Sequence, residues 1–500
     1  ISIKIRVIMN NLCQIIARNR FSILTLAILF FFLQTITAQK SREVVITGEA
    51  QFAIGKEIRL IVFDDLLTYQ PKTVASTKIA KDGSFRLTYK TNQIKLVQLA
   101  IQTSKAEFLV IPGKHYNFFI DMDLELFQLL SPLSYGGFLQ IVPVEIDTTE
   151  LNYRIRKFEI FFDKLNEQFY PDIIYHKNLK LRDSILNVLN EKFQIHYEPL
   201  DFYASYLYYS FGILDLIIYQ KSVDTIYKNY LDNEYVLYDN PAYMTFFNSF
   251  YDNYLYNSPR ISKEVLTQFI NRTPDYLAIF NELGKDPVLR NERIRELVII
   301  KNLREFYEDA QFNGYNILYL LEFILKNTHF PEHKPIIKNI IASTQRLHSN
   351  SEFPKCSLKE ASGVDFKLEK LKGKWVYLQF FSSQCEDCIR EMLIIKELEK
   401  KYKDSLVFVS VSLDFNFNDF VDFKQDYKLF DWKFVHFNFQ FDWLDELEIN
   451  TLPDNILLNP KGRIALRDVP VADKGLATFL SRKFAVPDKE ENPLSPHFRK

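Results

Sequence analysis

The chain is short of charge imbalance, of glycine and of cysteine, and each shortage closes off a class of protein. Sixty-two Lys and Arg stand against 63 Asp and Glu, a net charge of −1. The two signs are interspersed, so there is no electrostatic footprint for nucleic acid. Only 13 glycines accompany 45 phenylalanines and 28 tyrosines. With 47% apolar and 25% charged residues, this is the composition of a globular protein rather than a disordered one. Four cysteines in 500 residues cannot staple a disulfide scaffold. No second close cysteine pair accompanies Cys385 and Cys388, which leaves a zinc site without half of its ligands. At this length one ordinary core does not suffice, and two or three domains are expected.

What is present begins with a targeting segment. Arg18 and Arg20 precede the apolar run FSILTLAILFFFL (21–33), and QTITA ends in the small residue Ala38. A basic flank, a short apolar run and a small-residue exit make a secretory signal over residues 1–38. Met9 would start a well-proportioned signal of its own, so residues 1–8 are expected to be an over-extended start. The competing reading is an uncleaved membrane anchor, since 21–38 spans 18 residues, the short limit for a spanning helix. Either way the remainder is expected to be exported, to the periplasm or cell envelope. Cys13 precedes the apolar run, so Cys356, Cys385 and Cys388 remain after cleavage.

Residues 41–145 carry the short β-branched or aromatic segments VVITGEAQF, EIRLIVFD, GSFRLTY, IKLVQLAIQ, AEFLVIP and YNFFIDMD. Turn signals at Lys81-Asp82-Gly83 and Pro112-Gly113-Lys114 part them. A spacing of roughly a dozen residues predicts a small antiparallel β-sandwich. From 146 to 350 the period becomes helical. LRDSILNVLNEKFQI sets Leu181, Ile185, Val188 and Leu189 on one face, and ERIRELVIIKNLREFY repeats the habit, so an all-α region is expected. The tyrosines of DFYASYLYYSFGILDLIIYQ could stack on carbohydrate, but aromatics at helical spacing are read as packing with polar tips. His329 and His333 have a zinc-ligand spacing. Pro331 lies between them and no carboxylates are set out in a metal pattern, so a surface pair is expected.

From 351 to 485, strands (375–381, 406–413, 434–437, 455–458, 463–466) alternate with helices (388–402, 418–429, 443–449, 473–483). This is the order of a thioredoxin-like α/β layer, and a tail, 486–500, is expected to be disordered. The whole is a multidomain protein of α+β and α/β parts. QFFSSQCEDCIREM places Cys385 and Cys388 where a strand gives way to a helix. Cysteines at that spacing can close a small disulfide, and free amides at the helix start stabilise a thiolate. Cys385, projecting outward, is the expected nucleophile, and the more covered Cys388 the resolving thiol. Glu386 and Asp387 add negative charge that raises the thiolate's pKa. That favours the reducing half of the roughly 150 mV spanned by known pairs. The same acids suit a helix's first turn. Three alternatives stand beside this: a zinc half-site, a structural or degenerate disulfide, and a peroxidase, for which Ser382 fits but Leu378 replaces the proline.

KLKGKWVYLQFFSSQCEDCIREM and INTLPDNILLNPKGRI, with the strand–helix order between them, resemble the TlpA/ResA-like family of extracytoplasmic thiol–disulfide oxidoreductases over about 351–485. KDGSFRL and IPGKHYNFFID resemble the β-rich domain that often precedes such a unit. The resemblance implies that Pro453 is a cis-proline packed against the disulfide and that Leu452 pairs its backbone with an extended substrate. It implies that Glu391, three residues after the second cysteine, helps move protons. Two departures follow. Gln384 stands for the usual tryptophan and opens the substrate-binding surface around Cys385, and Asp387 stands for the common proline. Cys356 fills a family-apolar position and is read as a small buried residue. The resemblance further implies exported protein disulfides as substrate, a membrane or periplasmic thiol reductant as electron donor, and no cofactor or metal. The rival expectation is an envelope binding or scaffold protein with a vestigial thioredoxin domain.

Overall fold

The computed structural model describes residues 41–122 and 139–484, apart from Lys177, residues 219–221, Glu234, Glu308, Asn450 and Asp468. The expected signal or anchor at 1–38 and the tail at 486–500 lie outside the described residues. Among the described residues no helix is long and apolar enough to cross a membrane.

Strands β1 (Arg42–Glu49), β2 (Glu57–Phe63), β3 (Pro71–Lys78), β4 (Ser84–Thr91), β5 (Lys95–Ile101), β6 (Ser104–Val110), β7 (His115–Asp121) and β8 (Gln140–Pro143) build two four-stranded sheets. Their orders are β4-β1-β7-β8 and β3-β2-β5-β6. Alternate residues of both sheets, among them Val44, Ile46, Leu60, Val97, Phe108 and Phe118, meet in one core, which makes this a sandwich. The turns fall where glycine was expected to supply them, with Gly83 and Gly113 both at φ +81°. The pairing is antiparallel except between β1 and β7, which run parallel. The chain visits the other sheet between these strands, and that excursion is the crossover a parallel pair requires. β3 and β8 were absent from the sequence expectation. β3 is a polar edge strand opening on Pro71, and it carries no apolar alternation to read.

The middle of the chain is helical. Its main helices are α1 (Leu151–Ile174), α2 (Leu179–Phe193), α3 (Phe202–Ile218), α4 (Pro241–Phe250), α5 (Glu292–Tyr307), α6 (Gly314–Asn327) and α7 (His333–Arg346). On α2, Ile185 and Leu189 are buried, but Val188 remains exposed at the edge of the stripe. α5 is buried on every side from Ile294 to Leu303, polar residues included, so it is the central helix. Its core runs on into Phe63, Leu66 and Leu67 of the sandwich. Tyr209, Tyr243 and Tyr251 are fully buried, and Tyr209 packs edge-on to Tyr243 at 4.7 Å between ring centres. These tyrosines are core.

The two histidines are not a surface pair. α7 begins at His333, just past Pro331, so His329 stays outside on the preceding turn while His333 is fully buried. His333 Nδ1 lies 2.8 Å from the buried Glu296 carboxylate and Nε2 lies 2.8 Å from the Tyr238 hydroxyl. A carboxylate on the central helix draws the imidazole inward, a signal that no local pattern carries. Among the described residues no group of three or more His, Cys, Asp or Glu could hold a metal.

The C-terminal sheet has the order β10-β9-β13-β12-β11-β14-β15. It comprises β9 (Leu358–Lys359), β10 (Asp365–Phe366), β11 (Trp375–Phe381), β12 (Leu406–Ser412), β13 (Lys433–His436), β14 (Asp454–Leu458) and β15 (Ile464–Leu466). β11, β12 and β13 are parallel, and β14 returns antiparallel to β11. The helices are α8 (Glu386–Tyr402), α9 (Phe417–Asp426), α10 (Phe441–Glu446) and α11 (Leu476–Lys483). β9 and β10, two residues each, are too short for a periodic signal and were not expected. α8 starts two residues earlier than expected because Cys385 caps it.

Candidate functional site

β11 is central and covered on both faces, which is why it reads as an unbroken apolar run. Val376, Leu378 and Phe380 join a cluster with Trp443 and Leu444 of α10. On the other face Tyr377 packs with Ile395 and Tyr402, and Phe381 with Cys388 and Met392, all but these two β11 residues on α8. The strand therefore delivers the chain to the start of α8 in a fixed direction. Cys385, in extended conformation, is the N-cap, and its Sγ accepts a hydrogen bond from the Cys388 amide at 3.1 Å. Cys385 and Cys388 form a disulfide with Cα atoms 5.2 Å apart. Cys385 is half-buried and Cys388 fully buried, so one sulfur faces the surface and the other does not.

The loop before the pair is pinned by Asp414, a buried residue that the sequence reading did not single out. Its carboxylate accepts from Ser382 Oγ at 3.0 Å, Ser383 N at 2.9 Å, Ser383 Oγ at 2.9 Å and Ser412 Oγ at 2.6 Å. The Ser382 hydroxyl is thereby committed to Asp414 rather than to a cysteine. His436 Nε2–H donates to the Asp414 carbonyl at 2.7 Å, and Nδ1 accepts from the Asn438 amide at 3.0 Å. Burial holds this imidazole below the usual histidine range, and its neutral form satisfies both ring nitrogens.

Glu391 lies one turn beyond Cys388, at 4% exposure. Its carboxylate accepts from Gln379 Nε2 at 2.8 Å, from Asn455 Nδ2 at 3.2 Å and from the Ala472 amide at 2.6 Å. Burial pushes its pKa up, and these three hydrogen bonds offset only part of the rise. Gln379 is in turn held by the Ser410 hydroxyl at 2.9 Å, which accepts from Trp432 Nε1 at 2.9 Å. The Leu452–Pro453 peptide is cis. Leu452 is half-buried against the same apolar cluster as Cys385 and Cys388. Arg467 fixes the loop, gripping both oxygens of Asp454 at 2.7 and 2.8 Å and donating to the carbonyls of Leu447 and Glu448 at 3.1 Å each.

Cys385, Cys388 and Leu452 thus meet in one cluster, with Glu391 behind them. Gln384 sits beside Cys385 with its side chain exposed. Asp387 is ion-paired with Arg390 one turn later, which leaves Glu386 as the acid between the cysteines that has no ion pair among the described residues. Cys356 is half-buried against the same sheet's core, and burial pushes its thiol up to about 12. Gln379 carried one readable signal, as the only polar residue in the run WVYLQFF; Asp414, Asn455 and His436 carried none.

Residues 373–464 match the family model for thioredoxin-like domains. The thiol-disulfide oxidoreductase ResA of Bacillus cereus is 26% identical over 130 residues, covering 26% of this chain and 74% of that protein. ResA of Bacillus subtilis is 27% identical over 134 residues, 26% of this chain and 72% of that one. The thioredoxin-like protein YneN of Bacillus subtilis is 36% identical over 66 residues, 13% of this chain and 39% of the relative. Among solved structures, the thioredoxin domain of a thiol-disulfide oxidoreductase from Bacteroides vulgatus is 24% identical, with a TM-score of 0.26, and covers 28% of this chain and 99% of that one. A thiol-disulfide oxidoreductase from Bacteroides fragilis is 26% identical with a TM-score of 0.24, covering 27% and 99%.

Proposed function

We propose that this chain, thioredoxin-like in its C-terminal part, is an exported thiol–disulfide oxidoreductase that reduces disulfides of exported proteins. The reading rests on one arrangement above all: a half-exposed Cys385 at a helix N-cap, bonded to a fully covered Cys388. Residues 351–485 form the redox domain in this reading, with 41–145 and 146–350 as two further domains.

In the reduced state, the amides of the first turn of α8 stabilise the Cys385 thiolate. That thiolate attacks a client disulfide. The client S–S bond breaks, a Cys385–client bond forms, and the first client sulfur leaves as a thiolate that takes a proton from water. Cys388 then gives its thiol proton to Glu391 and attacks Cys385 Sγ, expelling the second client sulfur. Two electrons have passed to the client and the pair is oxidised. A membrane or periplasmic thiol reductant must return them. The buried Glu391 suits its part, because a carboxylate pushed up toward the thiol's ordinary value of about 8.5 accepts the proton with a smaller energy gap. Leu452 offers its backbone to the client beside Cys385, and Gln384 supplies the adjoining surface.

Cys385→Ser is expected to abolish reduction of a model protein disulfide, and Cys388→Ser to accumulate mixed disulfides visible on a non-reducing gel. Wild-type activity in both variants overturns the reading.

A further inference from the structure

A cleft of about 740 Å³ opens where the three parts of the chain meet, within the range of roughly 300–1,000 Å³ typical of ligand sites. Leu67 and Gln70 come to it from the sandwich, Asn248, Asp252 and Arg304 from the helical region, and Glu448 from the thioredoxin-like part. Most of its charges are already matched. Lys301, largely buried, pairs with Glu305 and lies 3.7 Å from Asp252, while Glu448 accepts from Arg346 at 2.7 Å. Two charges of opposite sign are less fully matched. Arg304 has no ion-pair partner among the described residues, and the Asp252 side chain, 66% exposed, shares one lysine with Glu305. Asn248 donates to the Leu66 carbonyl at 3.1 Å, but its own carbonyl oxygen is buried without a partner.

We infer that this cleft docks a polar peptide segment of the client, with an acidic side chain seated on Arg304 and a basic one on Asp252. This rests on the reading that the clients are polypeptides. The cleft is also in reach of the redox pair. Glu448 stands four residues before Leu452, at most about 14 Å along the chain, and Leu452 shares a cluster with Cys385.

The test uses the full chain carrying Cys385→Ser and Cys388→Ser, so that binding is read without thiol chemistry and a failure of the redox reading leaves it untouched. The probe is a fluorescein-labelled hexapeptide with one glutamate and one lysine, compared with a counterpart of equal length carrying glutamine and norleucine. Fluorescence anisotropy should show saturable binding of the charged peptide, and binding of the neutral one at least tenfold weaker. Arg304→Ala should weaken binding of the charged peptide tenfold or more, Arg304→Lys less, and Lys326→Ala, on the exposed face of α6, not at all. Circular dichroism confirms that each variant is folded. No saturable binding at millimolar peptide, or equal affinity in the parent and Arg304→Ala, overturns the inference.

Discussion

Glu391 accepts hydrogen bonds from three donors and donates none among the described residues, an environment built for a carboxylate, yet burial still leaves its pKa raised. The orphaned Oδ1 of Asn455 resolves the tension. A half-turn of that amide exchanges donor for acceptor, so the protonated carboxyl also finds a partner. The sign of the stability effect follows from the raised pKa. The contribution of Glu391 is complete below the unfolded value of about 4.3 and is lost as pH rises through its higher folded value. Urea denaturation of the oxidised protein should therefore show stability falling through that window, and Glu391→Gln should flatten the fall; parallel pH profiles would refute it. The same substitution is expected to slow resolution of the mixed disulfide about 10²-fold, read by quenched-flow trapping. A second prediction concerns the acids between the cysteines. With Asp387 held by Arg390, Glu386→Gln should make the pair more oxidising, and Arg390→Ala more reducing. A charge near a helix N-terminus shifts the potential by about 6–20 mV, measurable by glutathione redox titration; shifts of the same sign in both variants would refute it. The sulfurs were legible in the sequence because their spacing is local, whereas the glutamate and the proline were singled out only through the family resemblance of the motifs that carry them. Asn455 and Asp414 were not, because their meaning lies in partners 64 and about 31 residues away.

At the scale of elements, apolar period decided what could be read in advance. β11 and α8 appear almost where expected because an unbroken apolar run and a helical stripe leave little choice. β3 went unread because a polar edge strand has no buried face to announce. α5 was read as a helix, but its place at the centre was not, since Arg295, Glu296, Lys301 and Asn302 look like a solvated face. Tertiary partners reverse that reading. For Glu296, desolvation raises the pKa, but hydrogen bonds from His333, Thr328 and Tyr276 outweigh it and hold the carboxyl below its ordinary value. Its contribution to stability is thus present above about pH 4.3 and lost as pH falls through the depressed folded value. His333→Leu removes one of those partners from a buried charge, and about 3 kcal/mol of destabilisation is expected. Urea denaturation at pH 7 measures it, and a loss within experimental error would show that Thr328 and Tyr276 suffice.

At the scale of the whole molecule, the thioredoxin-like part is joined to the sandwich through one buried cation. Arg59, at 3% exposure, pairs with Asp442, lies 3.6 Å from Asp445 and donates to the Gln102 carbonyl at 3.0 Å. Its guanidinium sits 5.6 Å from the centre of the Phe441 ring. Lys105 adds a bridge to Asp445 at 3.3 Å, and Arg346 ties α7 to Glu448. The two ends of the contact differ in kind. Asp442 is 60% exposed and can be solvated when the contact is lost, whereas Arg59 has lost its water already. Asp442→Asn combined with Asp445→Asn should therefore strand the guanidinium and cost about 3–5 kcal/mol. Adding Arg59→Leu to those two substitutions should recover most of the loss, because a leucine against Phe441 needs no counter-charge. Urea denaturation of the parent, the double and the triple variant decides it. A triple variant no more stable than the double would mean that the interface depends on the ion pairs for geometry rather than on relief of a buried charge, and the redox part would then be positioned over the sandwich by Arg59 itself.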